Sequence, residues 1–127
     1  MEELKDYPIS IFETVRSRSI VRNFIKPTQL IYYEGLSRLI GADIYLKHEN
    51  HNPTGTFKIR GGTNLMYHLK QRDTKGVITL YYAHPANEPL LINGVGTEFL
   101  EIIEDLPDLD VMIVPLGAGS EAAAAIT

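Results

Sequence analysis

The chain has 127 residues, 44% of them apolar, enough to bury one core as a single domain or one lobe of a larger protein. Sixteen acidic against twelve basic residues give a net charge of -4, which argues against a phosphate-backbone footprint on nucleic acid. No apolar run is long enough to cross a bilayer, residues 1–10 lack a basic-then-apolar leader pattern, and the absence of cysteine removes disulfides, thiol nucleophiles and thiolate metal sites. A cytoplasmic protein without membrane or nucleic-acid partners is expected.

Ser10-Ile11-Phe12-Glu13 has the capping-box spacing and predicts a helix over about 11–22, although Ile11, Phe12, Val15, Ile20 and Val21 only partly share one stripe. Pro27 breaks the chain. A short helix follows over Tyr33 to Ile40, stopped at Gly41, and then a strand at Ile44-Tyr45-Leu46-Lys47. After a polar loop from Glu49 to Gly55, Phe57 to Arg72 reads as a helix with Leu65, Met66 and Leu69 on one side, so Lys58 lies at its N-terminal end. Residues 76–82 read as a buried strand, 83–89 as a connection, and 97–105 as a helix with Thr97 as a possible cap. Leu106-Pro107-Asp108 precedes a near-continuous apolar strand at 110–115 and an alanine-rich helix opened by Gly117-Ala118-Gly119-Ser120. The alternation predicts an α/β fold with parallel-sheet layers and helices on both faces.

Gly61 and Gly62 each cost a helix interior about 1 kcal/mol relative to alanine. Either the helix packs closely on a neighbouring backbone there, or a flat ligand approaches. The turn at 117–120 is either an ordinary strand-to-helix connection or an anion cradle of backbone amides; Glu121 suits the helix dipole but would repel a phosphate. Arg60 either pairs with an acidic group and steadies the lysine helix or lies on the surface. His48, His51, His68 and His84 have no metal-binding spacing, and none is expected to hold a metal. Gly94 and Gly96 lack the preceding strand and third glycine of a dinucleotide turn.

Glu49-Asn50 and the run Pro53-Thr54-Gly55-Thr56-Phe57-Lys58-Ile59-Arg60-Gly61-Gly62 with Asn64 resemble the cofactor-lysine signature of fold type II (β-family) pyridoxal phosphate (PLP) enzymes. The serine/threonine dehydratase and serine racemase branch is the nearest in pattern, with Thr56 where serine is usual and Gly62 where alanine is usual. Pro27-Thr28-Gln29-Leu30 resembles the segment before the first helix of the cofactor lobe. Gly94-Val95-Gly96-Thr97-Glu98 resembles the family's Gly-Gln-Gly-Thr segment, and 110–120 its strand and glycine-rich phosphate loop.

The resemblance implies that Lys58 forms a Schiff base with PLP. It also implies that Phe57, Gly117, Ala118, Gly119 and Ser120 contact the cofactor, and that the enzyme is a homo-oligomer, a dimer or tetramer. It implies a lyase that removes water and then ammonia from a small hydroxy amino acid such as threonine or serine, to give a 2-oxo acid. Racemisation is the nearest variant; a non-catalytic phosphate-ligand-binding or assembly domain is the rival from another class. The family's Asn-containing substrate loop is missing after the segment at 75–79. Residues 1–127 are therefore expected to be part of a PLP-enzyme catalytic domain, lacking a small lobe near 79–83 and a C-terminal part.

Overall fold

The computed structural model describes residues 7–71 and 87–127. The strand expected at 76–82, the end of the helix expected to reach Arg72, and His84 lie outside the described residues. Helix α1 (Ile11–Val21) starts where its capping residue places it, with the Ser10 hydroxyl accepting from the Glu13 amide at 3.3 Å. The return half of the capping box is replaced: Glu13 takes the Arg16 guanidinium at 2.9 Å, and the Ser10 amide donates to Asn93 Oδ1 at 3.4 Å. The buried face of α1 is Thr14, Ser17 and Val21, while Phe12 points to solvent. Small residues rather than bulky ones face the interior, which is why the apolar spacing fitted one stripe poorly.

Strand β1 (Leu30–Tyr32) pairs antiparallel with β2 (Tyr45–Lys47), Ile31 opposite Leu46. Between them runs α2 (Glu34–Ile40), ended by Gly41 at φ 78°, a left-handed position that glycine adopts without a Cβ penalty. A 3₁₀ turn at Glu49–His51 leads to α3 (Lys58–Lys70). Helix α4 (Pro89–Asp105) begins well before 97: Pro89 occupies its first turn, the Glu88 side chain caps it, and Thr97 lies mid-helix. Helix α5 (Ser120–Ala125) closes the described chain.

The fold is mixed α/β, but parallel-sheet layers are not present among the described residues, where the sheet is one antiparallel pair. A strand exists only through pairing, and 110–115 makes no backbone hydrogen bond to other described residues, with Ile113 92% exposed.

Helix α4 is the centre of the molecule. Its Ile92, Val95, Phe99 and Ile102 form the core with Ala124 of α5, flanked by Leu30, Phe57, Met112 and Val114. Leu90 joins Leu65 and Leu69 of α3 in a second cluster. Glycines allow the close approach. A Cβ on Gly94 would come within 2.7 Å of Arg60 O and of Gly61 Cα, and one on Gly61 within 2.7 Å of Leu91 O. On another side of α4, a Cβ on Gly96 would lie 2.8 Å from Thr14 Cγ2 of α1. Gly61 is thus a packing glycine, whereas a Cβ at Gly62 would meet nothing within 4 Å.

The two helices make a paired expectation in which propensity and packing oppose each other. Gly62→Ala gains helix propensity unopposed and should raise stability by up to about 1 kcal/mol. Gly94→Ala gains the same propensity but meets backbone atoms that cannot rotate away, so it should cost about 1–3 kcal/mol net. Urea denaturation of both variants checks this; equal shifts of the same sign would show that α3 and α4 are not in contact.

Candidate active site

The ionic heart of the molecule is Arg60, 1% exposed. Its Nε and one terminal nitrogen grip Glu49 at 2.8 Å each, and its two terminal nitrogens grip Glu101 at 2.8 Å each. Thr97 Oγ1 accepts from it at 3.2 Å. Lys47 Nζ adds bonds to Glu101 at 2.7 Å and to Thr28 O at 2.9 Å. Thr28 and Asn52 donate to Glu49. Two cations and two carboxylates thus cancel one another, and the fork geometry of guanidinium satisfies both acids. Burial alone would raise Glu49, but bonds from Arg60 and Thr28 outweigh it and hold it below its ordinary value. For Glu101, burial is likewise outweighed by Arg60 and Lys47. Burial opposes the Arg60 charge, but Glu49 and Glu101 prevail and raise its pKa. Arg60 is therefore the steadying group of the lysine helix, not a surface residue. It ties the 3₁₀ turn and α4 to α3, two residues from Lys58, and Lys47 of β2 joins the cluster through Glu101.

Lys58 is the first residue of α3. Its amide donates to Thr56 Oγ1 at 3.3 Å, and its Nζ lies 4.5 Å from the Phe57 ring centroid. It forms no ion pair within 4 Å among the described residues. A cavity of about 260 Å³ opens beside it, near the lower end of the roughly 300–1,000 Å³ usual for small-molecule sites. Phe57, Leu91, Val95 and Pro115 line it, and so do Gly117, Ala118, Gly119, Ser120 and Glu121. Gly119 has φ 98°, and a Cβ on Gly117 or Gly119 would meet open space, so the turn leaves its backbone accessible. The residues singled out in the sequence, Phe57, Lys58 and 117–120, thus border one space. An amine and a glycine turn around an apolar-walled cavity suit a carbonyl compound that carries an anionic group.

The sequence did not point to Glu98. It is 2% exposed, lies on α4, and its carboxyl is near enough to Glu121 of α5 for each to act on the other's ionisation. Burial, then the charges of Glu49 and Glu121, push it up to about 9. Glu121 is also raised, first by burial and further by the charge of Glu49, with Glu98 and then Lys58 acting the other way. His48 Nε2 lies 2.9 Å from the Tyr33 hydroxyl, and the His48 ring stacks on His51. Among the described residues no cluster could hold a metal, and no helix is long and apolar enough to cross a membrane.

Residues 21–80 match the family described as pyridoxal-phosphate dependent enzyme. The L-threonine ammonia-lyase of Thermotoga maritima is 27% identical over 178 aligned positions, covering 87% of this chain and 44% of that protein. The L-threonine ammonia-lyase of Geobacter sulfurreducens is 25% identical, covering 78% of the chain and 41% of its own length. The serine racemase of Homo sapiens is 24% identical, covering 89% and 54%. The chain spans about half the length of the curated relatives it matches. An alignment of 178 positions exceeds the 127 residues of the chain, so the Thermotoga protein carries sequence between matched residues that has no counterpart here.

Proposed function

We propose that this chain, which is similar to pyridoxal-phosphate dependent enzymes and, among curated proteins, to threonine ammonia-lyases and serine racemases, is the cofactor-holding part of a lyase. The lyase takes water and then ammonia from a small hydroxy amino acid, threonine or serine, and leaves a 2-oxo acid. One observation carries the reading: Lys58 and the 117–120 turn, remote in sequence, border the same cavity.

The residues fit the cofactor. Lys58 Nζ is the amine that would reach its aldehyde, and Phe57, Leu91, Val95 and Pro115 give the cavity apolar walls. The open backbone of Gly117 to Ser120 provides amides for the phosphate. When bound, PLP supplies a conjugated ring that spreads the charge left by loss of the substrate's α-proton. Lys58 Nζ, beside the Phe57 face, would be the base that accepts that proton. Arg60, through Glu49 and Glu101, fixes the helix end from which Lys58 reaches.

In the same reading, 110–115 is an inner strand of a parallel sheet, and the small lobe is missing at 79–83. The family match ending at residue 80 supports that position. The substrate is then a small amino acid and the whole enzyme a cytoplasmic homo-oligomer. The test is to add PLP to the purified chain, reduce with borohydride and map the product. A visible absorbance that borohydride bleaches, with the label on the peptide containing Lys58, is the expected result. No uptake of PLP, or a label elsewhere, overturns the reading.

A further inference from the structure

Glu121 borders the cavity together with Lys58, and Glu98 stands behind it on α4. Each carboxyl keeps one fully buried oxygen, Oε2, with no hydrogen-bond partner. Their residues are 2% and 8% exposed, so solvent does not make up the deficit. An ionised carboxylate can only accept hydrogen bonds. Two of them in contact inside a protein leave lone pairs facing each other, which costs both desolvation and like-charge repulsion. One proton between them turns the repulsion into a hydrogen bond.

The charged groups around the pair favour keeping that proton. Glu49 in the 3₁₀ turn and Glu101 on α4 add negative charge, but Arg60 of α3 and Lys47 of β2 already neutralise them. Lys58 of α3 is the remaining cation, and it faces Glu121. Lys58 is also the amine that a cofactor aldehyde would consume. Its positive charge is then not dependably present to offset an ionised Glu121 next to an anionic ligand.

We infer that Glu98 and Glu121 form a proton-holding pair, and that a phosphate group seats in the Lys58 cavity only with Glu121 protonated, so that phosphate binding takes up a proton. The inference rests on the cofactor reading for the carrier of the phosphate, while the shared chemistry is the phosphate group, whether on PLP or as the free ion. With the proton taken up the pair holds two: Glu98 donates its own to Glu121, and Glu121 donates the second to the phosphate, where an ionised Glu121 would repel it. The upward displacement of both carboxyls by burial agrees with this. The pair titrates as a unit, and neither carboxyl has a private pKa.

Inorganic phosphate, PLP and pyridoxal, which has no phosphate, are titrated into wild type and Glu121→Gln between about pH 5 and about pH 9. Glutamine keeps the shape and a donor but cannot ionise. Referring wild type to this variant at each pH cancels the ionisation of the ligand itself. At the acid end the two proteins should bind phosphate alike. Wild-type affinity should then fall relative to the variant by up to about tenfold per pH unit once the pair ionises. Pyridoxal should show no such divergence.

Calorimetry of wild type with inorganic phosphate at about pH 8, in two buffers of different ionisation enthalpy, should give uptake of up to about one proton per phosphate. This second measurement stands if Glu121→Gln fails to fold. A constant ratio across the range, or no proton uptake, overturns the inference even when PLP binds and labels Lys58. Proton-linked binding of inorganic phosphate by a protein that does not take up PLP upholds the inference and sinks only the cofactor reading. Absence of binding by either phosphate compound at acid pH sinks both.

Discussion

Arg60→Ala is expected to lose about 3–5 kcal/mol of folding stability, a large share of the roughly 5–15 kcal/mol that a domain possesses. The arginine is buried and bonds two carboxylates through both faces of its fork. Its removal leaves Glu49 and Glu101 inside with Lys47 as the one remaining cation of the cluster. Arg60→Lys keeps the charge but cannot reach both acids with paired donors, so it should recover only part of the loss. The pH dependence gives a second signature. Both carboxyls are held low in the folded protein, so their contribution is present above the ordinary carboxylate range and lost as pH falls through their folded values. Without Arg60, burial instead raises them, and acid becomes favourable. The stability gap between wild type and Arg60→Ala should therefore be widest above about pH 5 and shrink toward about pH 3. Urea unfolding across that range measures it. A gap under about 1 kcal/mol would mean that the cluster is solvated.

Lys58→Ala is expected to abolish the PLP-dependent absorbance and the borohydride label while leaving the thermal midpoint nearly unchanged. The side chain makes no ion pair among the described residues, and its contacts are with the Phe57 ring and the cavity. Surface-type substitutions without partners usually shift stability by less than about 0.5 kcal/mol. Function and stability are thus separated at this position and joined at Arg60, two residues along the same helix. Phosphate binding in Lys58→Ala should persist at acid pH, because Glu121 and the 117–120 backbone remain. Retention of the borohydride label after Lys58→Ala would show that another amine holds the cofactor.

The residues of the lysine signature were legible because their chemistry is contiguous: Thr56-Phe57-Lys58 and Arg60-Gly61-Gly62 occupy one turn of chain. The partners of Arg60 were not. Thr28, Glu49, Thr97 and Glu101 come from three separate segments, and no local pattern marks them as a set. The start of α4 was hidden by its own glycines. Gly94 and Gly96 look like helix breakers in isolation, and only the neighbouring backbone of α3 and Thr14 of α1 explain why a helix carries them. The two alternatives for Gly61 and Gly62 come out differently at adjacent positions, since one faces α4 and the other open space. Glu121 was visible as an oddity, whereas Glu98 reads as an exposed helical acid until α5 is laid against it.

The contact between Gly61 and Gly94 also bears on motion. Helices that meet through bulky side chains can slide a little as rotamers change, because the side chains form a deformable layer. Here backbone meets backbone, and sliding α3 along α4 would drive Asn64 or Leu91 into the space that the glycines leave empty. The origin of Lys58 is consequently clamped to the central helix. If Lys58 holds the cofactor as proposed, travel of its amine has to come from the four-carbon side chain alone, on the fast timescale of rotamer exchange.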